Sequence, residues 1–228
     1  MEKFSLNNQV EKVLRGENSN FLNPIDTRHI VNILKKINYQ YQVFYLYKES
    51  EKLILYKDKL DITLLQIECN ETLSHREILG SLFSLNLSED VFGDIIIDNN
   101  KYYIVVLDKI KKYLLINMDK IGKKKIKLIE VNLEDVSNYK NKYKEINIQV
   151  SSLRVDAVIS KIIPTSRKIS NEYIDEQKVI VNYQVLKNKN YSLKENDIFS
   201  IRGIGKFKLI SSKITKNDKY QIEINKYI

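Results

Sequence analysis

The chain has 228 residues, 43% of them hydrophobic and 29% charged, which is enough for about two or three small domains with packed cores. One cysteine and two histidines exclude an internal disulfide and argue against a zinc centre. No run of about 18 apolar residues occurs, and the first residues lack the apolar core of a signal peptide, so we expect a cytoplasmic protein without a membrane span.

The net charge of +9 is concentrated at one end of the chain. Residues 151–228 contain 15 Lys and Arg against 8 Asp and Glu, whereas residues 1–150 contain 23 against 21. A basic C-terminal third suits a polyanionic partner such as nucleic acid. The alternative is that a chain rich in lysine and asparagine has basic surfaces by composition alone, and charge by itself leaves both interpretations open.

Residues 1–60 are predicted to form two helices and a β-hairpin. The first helix should end at Gly16, and Asn23-Pro24 should open the second. The aromatic and β-branched residues of 41–47 and 53–57 predict the two strands of the hairpin. Its tyrosines could stack on bases, but cross-strand packing is the favoured interpretation.

Residues 61–140 are predicted to alternate in a βαββαβ order. The pattern predicts strands at 62–69, 93–97, 101–107 and 125–133, and helices at 74–85 and 108–121. This order is typical of the ferredoxin-like (RRM-like) plait, which occurs in proteins that bind RNA and in many that do not. No segment carries the basic, glycine and aromatic signature of base-stacking RNA-recognition motifs, so we expect Tyr102 and Tyr103 to pack against neighbouring side chains.

Two residues of this region are candidates for anion binding. His75 and Arg76 lie in the first turn of a helix that Ser74 can cap, beside backbone amides that lack helical partners. The alternative is that both side chains are simply solvated.

Residues 151–228 are predicted to begin with two short helices. Val155, Val158 and Ile159 form a helical stripe, and Pro164 ends that helix. Ser166 can cap the second helix, in which we expect Ile169 and Tyr173 to point inward. The polar residues Arg167, Lys168 and Asn171 then share one arc at its N-terminal end, where free amides and cations suit a phosphate.

A small sheet is predicted to follow the two helices. The segments KVIVN, DIFSIR and KFKL alternate between apolar and polar residues, with Phe199, Ile201 and Phe207 on one side. Arg202 and Lys206 fall on the other side. We therefore expect a sheet with one apolar and one basic face.

The succession LRVDAVIS, TSRKISNEYI, KVIVN and LKENDIFSIRG resembles the S4 (αL) RNA-binding domain. That resemblance implies that the two helices and the following loop grip structured RNA, chiefly through its backbone. The family usually has a glycine just before the basic residue of the KVIVN strand, where this chain has Gln177.

Across nearly the whole chain, FLNPIDTRHI, LSHREILGSLFSLNLSEDVFGDIII and SIRGIGKFKL resemble the YlmH family of bacterial S4-domain proteins. The resemblance implies a factor that associates with the large ribosomal subunit, contacts rRNA and tRNA, and acts on stalled peptidyl-tRNA complexes in translation rescue and quality control. It also implies that His75 and Arg76 belong to a functional HRE segment. Some members of the family are linked to cell division.

Two other function classes stay open. One is an RNA-modifying enzyme with an S4 appendage, of the pseudouridine synthase kind, and the other is an interaction adaptor in cell division. The six glycines form no G-x-G-x-x-G loop, Cys69 has no base nearby in sequence, and Asp156 in Arg-Val-Asp is interpreted as a first-turn helix carboxylate. The favoured hypothesis is therefore a protein that is not an enzyme.

The sequence thus predicts an α+β protein with a helical and hairpin N-terminal segment (1–60), a ferredoxin-like middle domain (61–140) and an S4 domain (151–228). We expect a monomer without cofactor, metal, membrane or small-molecule substrate. Arg167 and Lys168 are expected to be exposed, so that replacing them should cost little stability. The residues expected to contact RNA are Arg154, Lys161, Arg167, Lys168, Asn171, Lys178, Arg202, Lys206, His75 and Arg76.

Overall fold

A computed structural model describes residues 2–228. They form two compact units, one ending at Lys140 and the other spanning Asn141–Ile228. Each unit combines helices with antiparallel sheet, which confirms the predicted α+β class. No helix within residues 2–228 is long and apolar enough to cross a lipid bilayer.

The N-terminal unit opens with two helices and a hairpin, as predicted. These are α1 (Glu2–Leu14), α2 (Pro24–Lys36), β1 (Gln42–Tyr45) and β2 (Leu53–Tyr56). Asn23 caps α2 because its side chain accepts hydrogen bonds from the backbone amides of Ile25 and Asp26. The helices enclose a small core with Val13, Ile30 and Leu34 fully buried.

The second half of this unit is a four-stranded antiparallel sheet with two helices. Its elements are β3 (Ile62–Glu68), α3 (His75–Ser84), β4 (Phe92–Asp98), β5 (Lys101–Leu107), α4 (Asp108–Asn117), the short hairpin of β6 (Lys120–Ile121) and β7 (Lys124–Lys125), and β8 (Lys127–Val131). The strands are ordered β4-β5-β3-β8. A 3-10 turn follows at Leu133–Val136.

Both faces of this sheet are covered. On one face Tyr102 and Ile104 pack with Leu82 of α3 and Leu114 of α4. On the other face Tyr103 packs in a cluster that also holds residues of the N-terminal segment and hairpin, among them Phe21, Leu46, Tyr47 and Ile54. Tyr102 and Tyr103 are both buried, which confirms that they pack against neighbours and do not offer their rings to bases.

Helix α4 is shorter than predicted. Leu114, Met118 and Ile121 are apolar residues at helical spacing, and this spacing predicts a helix that continues to residue 121. All three side chains are buried. The chain leaves the helix at Met118, where φ is −111° and ψ is 77°, and Ile121 reaches the core from the β6–β7 hairpin. These periodic side chains are therefore all buried, although Leu114 lies on a helix and Ile121 on a strand of a hairpin.

The C-terminal unit is built on a six-stranded antiparallel sheet. Its elements are β9 (Tyr143–Val150), α5 (Val155–Ile162), α6 (Arg167–Asp175), β10 (Val179–Val181), β11 (Gln184–Val185), β12 (Ile198–Ile201), β13 (Gly205–Ile214) and β14 (Tyr220–Tyr227). The strand order is β11-β10-β12-β13-β14-β9. Strand β9 lies before the predicted start of the S4 domain at residue 151 and pairs with β14 along its full length.

One face of this sheet forms the core of the unit, as the alternating pattern predicted. The rings of Phe199 and Phe207 stack with centroids 5.2 Å apart, and both are fully buried with Val158 and Ile159 of α5. The expectation for Ile169 was wrong, because this side chain is 43% exposed. The buried stripe of α6 contains Ser170 and Ile174 instead.

Candidate nucleic-acid interface

The candidate interface is organised by a buried carboxylate at the start of α5. Asp156 lies in the first turn of that helix and is 1% exposed. Arg154, the residue just before the helix, donates from Nε to Asp156 Oδ1 at 3.0 Å and from Nη2 to Oδ2 at 3.2 Å. Arg167, the first residue of α6, donates to Oδ2 from Nε at 3.0 Å and from Nη2 at 2.7 Å.

The electrostatics of this cluster favour the charged carboxylate. Burial opposes ionisation of Asp156, but the hydrogen bonds from Arg154 and Arg167 outweigh it, so the pKa of the carboxyl lies below its ordinary value. Two guanidinium groups share one carboxylate, which leaves the cluster with a net positive charge. The side chains of Arg154 and Arg167 are 36% and 48% exposed, and each keeps N–H donors that Asp156 does not occupy.

Arg167 is exposed, as predicted, but its guanidinium group is also held by the buried Asp156 carboxylate, so the expectation that its replacement costs little stability does not follow from exposure alone. Removing it would leave Asp156 buried with one partner in place of two. The Asp156 carboxylate fixes where both guanidinium groups lie, and this anchoring of α5 to α6 was not predicted.

Other predicted contacts lie along α5 and α6. Ser166 caps α6 by accepting a hydrogen bond from the backbone amide of Ile169 at 3.3 Å, and Lys168 is exposed in the first turn of the helix. Lys161 is exposed in the last turn of α5. Within residues 2–228 neither lysine forms an ion pair. Asn171 is half-buried, and its Oδ1 atom is enclosed without a hydrogen-bond donor in the described part of the chain.

Lys178 and Arg202 form a separate group near the end of α6. They face each other across β10 and β12, where the Arg202 amide donates to the Lys178 carbonyl at 2.8 Å. Lys178 Nζ lies 2.5 Å from a Glu176 carboxylate oxygen, and that hydrogen bond raises the pKa of Lys178 although the charge of Arg202 opposes it. Helix α6 lies between the two groups in sequence, and its 9 residues span roughly 13 Å from Arg167 to Asp175.

Lys206 lies on strand β13, between two aromatic rings. Its Nζ atom is 4.9 Å from the centroid of the Tyr227 ring and 5.8 Å from that of Tyr183. Neither tyrosine was singled out in the sequence. The sequence does contain one relevant signal, the alternation of polar and apolar residues along β13. That alternation predicts that the Lys206 side chain lies on the opposite side of the sheet from Phe207.

His75 and Arg76 belong to the N-terminal unit. Both are exposed in the first turn of α3. Ser74 and Glu77 form a capping box, so the Glu77 amide is already occupied. A hydrogen bond from Lys124 Nζ at 2.5 Å, together with those from Ser74, lowers the pKa of Glu77 to about 2.

Comparison with known proteins adds independent information. Residues 56–135 match the family described as "Putative RNA-binding domain in YlmH". The chain is also 30% identical, over 153 residues, to the Bacillus subtilis (strain 168) protein named ribosome-associated protein quality control protein P2. The resemblance to the YlmH family is confirmed.

The extent of these matches is partial. The alignment with the B. subtilis relative covers 66% of this chain and 59% of that protein, which is less than two thirds of its length. The solved structure of a Streptococcus pneumoniae YlmH protein, named as a cell division protein, matches 60% of this chain and 96% of its own, with a TM-score of 0.50 and 15% identity. At that identity the structural match shows a shared fold only.

The matched YlmH-type domain does not contain the Asp156 cluster. Residues 56–135 include His75, Arg76 and the four-stranded sheet, whereas the other predicted contacts lie in the C-terminal unit. Because that sheet is covered on both faces, the YlmH-type domain of this chain cannot stack bases on its strands in the described conformation. Among residues 2–228, no group of three or more His, Cys, Asp or Glu side chains is arranged to hold a metal ion.

Proposed function

We propose that this protein is a non-catalytic RNA-binding factor that associates with the large ribosomal subunit through rRNA and tRNA. In this proposal it is a cytoplasmic monomer that acts on stalled peptidyl-tRNA complexes in translation rescue and quality control. The observation that carries the proposal is the pair of guanidinium groups held by Asp156 beside the capped start of α6. Positioned arginines of this kind suit bidentate phosphate contacts.

The charge distribution and the YlmH resemblance also support the proposal of an RNA-binding factor. The C-terminal unit carries most of the net charge of the chain, and the B. subtilis relative is named for ribosome-associated quality control. The candidate RNA contacts remain Arg154, Lys161, Arg167, Lys168, Asn171, Lys178, Arg202, Lys206, His75 and Arg76.

An S4 domain at residues 151–228 is part of the proposal. The succession of two helices, α5 and α6, followed by β10, β12 and β13 supports it. The ferredoxin-like assignment of residues 61–140 is supported by the βαββαβ order along the chain. It is also supported by the strand order β4-β5-β3-β8, in which the two central strands, β3 and β5, are the first and third strands of the βαββαβ series.

The proposal is tested by RNA binding across a salt series. The exposed Lys161 and Lys168 are the best probes, because removing them breaks no ion pair among residues 2–228. If both contact phosphates, the Lys161→Ala, Lys168→Ala variant should reduce the slope of log affinity against log salt by roughly 1 to 2. The RNA is purified rRNA or tRNA, and binding is followed by fluorescence anisotropy.

A matched control comes from the same unit. Lys213 and Lys216 are also exposed, at and beyond the far end of β13, so the Lys213→Ala, Lys216→Ala variant changes the net charge equally. We expect a smaller change in slope for this control. Equal slopes for both variants would show that only the net charge matters and would contradict the proposed interface.

A further inference from the structure

The sheet of the C-terminal unit carries a cluster of tyrosines on the side opposite its core. Lys206 lies between the rings of Tyr183 and Tyr227, and the Tyr143 ring meets Tyr227 edge to face with centroids 5.0 Å apart. All four side chains are partly exposed, whereas Phe207, the next residue of β13, is fully buried. We call Tyr143, Tyr183, Lys206 and Tyr227 the tyrosine–lysine face.

The backbone at Tyr183 is strained. Asn182 and Tyr183 form the two-residue turn between β10 and β11, with φ of 46° and 66°. Such turns favour glycine or asparagine, and a bulky residue at positive φ costs free energy. Tyr183 does not belong to the hydrophobic core of its unit, so core packing does not explain its presence at a position that glycine would occupy without strain.

Apolar side chains extend the face beside Lys206. In the strand register Val185 lies opposite Ile180, Ile180 opposite Ser200, and Ser200 opposite Lys206. Ile180 and Val185 are 39% and 41% exposed. A surface that combines aromatic rings, exposed aliphatic groups and a cation has the composition that stacks bases, whereas phosphate binding alone needs only cations.

Acidic residues limit the face on one side. Glu145 and Glu223 lie on β9 and β14, on the same side of those strands as Tyr143 and Tyr227. Their charges would repel phosphates from that part of the sheet. An RNA strand would therefore lie at the end where Lys206, Tyr183 and Ile180 are found.

We propose that the tyrosine–lysine face stacks unpaired bases of single-stranded RNA, with Lys206 neutralising an adjacent phosphate. This inference rests on the proposed RNA-binding function and adds a second kind of contact. The Asp156 cluster and the exposed lysines of α5 and α6 hold the backbone of structured RNA, whereas the tyrosine–lysine face holds bases that are not paired.

The test compares two oligoribonucleotides of equal length and equal charge. One carries adenine at every position, and the other is abasic at its central positions, so that the number of phosphates is unchanged. With the full chain, fluorescence anisotropy should show about tenfold tighter binding of the base-bearing strand, because its bases can stack on the tyrosine rings and the abasic positions cannot. A tenfold difference in affinity corresponds to about 1.4 kcal/mol. Equal affinity for both strands would overturn the proposal.

Tyr183→Gly is the decisive variant because it removes the ring and relieves the backbone strain together. We expect an unchanged or higher Tm, an unchanged affinity for the abasic strand, and loss of most of the preference for bases. Tyr227→Leu, which keeps an apolar side chain on the strand, should lower the preference in the same direction. Tyr45→Ala is the control, since Tyr45 is a 55% exposed tyrosine of the N-terminal unit.

The outcomes separate this inference from the proposed function. If the preference for bases persists in Tyr183→Gly and Tyr227→Leu, the tyrosine–lysine face is not the stacking site. If those variants lose the preference but the Lys161→Ala, Lys168→Ala variant keeps the salt dependence of the wild type, the stacking site stands and the phosphate contacts assigned to α5 and α6 fail.

Discussion

At the scale of single residues, Asp156 fixes the positions of the two arginine side chains of the candidate interface. A buried carboxylate costs free energy unless it is paired and hydrogen-bonded, and here four N–H donors from two arginines satisfy it. The same bonds restrict the rotamers of two long side chains, so that under the proposed function less entropy would be lost on contact with a phosphate. Asp156 therefore acts as a positioning residue for Arg154 and Arg167.

Replacing Asp156 with asparagine should destabilise the protein by about 2 kcal/mol. The amide is nearly isosteric, but it loses the charge that both guanidinium groups face, and its nitrogen cannot accept their hydrogen bonds. Urea unfolding measures the change. Asp175→Asn is the control, because Asp175 forms a solvent-exposed pair with Lys189 and should contribute about 1 kcal/mol at most. Equal losses in both variants would contradict the buried role of Asp156.

The stabilising effect of Asp156 should depend on pH in one direction. Its pKa is lower in the folded protein than the unfolded value of about 3.9, so the folded state binds this proton less readily. The contribution is complete above about pH 5 and is lost as the pH falls through 3.9 toward the lower folded pKa. The difference in unfolding free energy between wild type and Asp156→Asn should shrink over that range. A constant difference would mean that the carboxylate charge is not the cause.

At the scale of secondary-structure elements, the end of α6 shows how the chain accommodates Gln177 at the position where the resemblance to S4 domains predicts glycine. Gln177 adopts φ of 55°, and the Lys178 amide donates to the Tyr173 carbonyl at 2.9 Å while the Gln177 amide donates to Ile174 at 3.0 Å. These are the bonds of a Schellman-type helix end, which glycine normally forms most easily. The turn is kept, and the cost is backbone strain.

Gln177→Gly should therefore stabilise the protein, by about 0.5 to 1 kcal/mol. The control is Glu176→Gly, since Glu176 has φ of −77°, so that glycine there increases the entropy of the unfolded chain and also removes the exposed ion pair with Lys178, and both effects lower stability. Thermal or urea unfolding should move in opposite directions for the two variants. A loss of stability in Gln177→Gly would show that the glutamine side chain itself stabilises the turn.

Several elements could be predicted because their signals are local. Ser166 and Asn23 were recognised as helix caps from their neighbours, and strand alternation placed Phe199 and Phe207 in the core. The end of α4 was missed because Met118 and Ile121 continue a helical spacing after the helix has stopped. The position of Ile169 was missed by one residue, since the small Ser170 packs inward and its hydroxyl donates to the Ser166 carbonyl at 3.2 Å.

At the scale of the molecule, the sequence could not show which predicted contacts lie together. The cluster of Arg154, Asp156 and Arg167 joins residues 11 positions apart through long side chains, and helical periodicity does not predict which rotamers meet. Nor could the pattern show that the hairpin segment covers a sheet face in the YlmH-type domain. Both facts depend on contacts between elements that are distant in sequence.

Under the proposed function, these two facts give the two units different tasks. Because side chains cover both faces of the sheet in residues 56–135, we expect no base stacking on that sheet. The surfaces suited to RNA are then the exposed first turn of α3 and, chiefly, the basic C-terminal unit. The account therefore predicts that association with ribosomal particles depends mainly on Lys161, Lys168 and the arginines that Asp156 positions.

The most direct measurement is co-sedimentation of the full chain with separated ribosomal subunits, with and without bound tRNA, over a salt series. The account predicts association with the large subunit that weakens steeply with salt and is reduced in the Lys161→Ala, Lys168→Ala variant but not in Lys213→Ala, Lys216→Ala. Association with neither subunit, or binding that is insensitive to salt and to both pairs of substitutions, would contradict it.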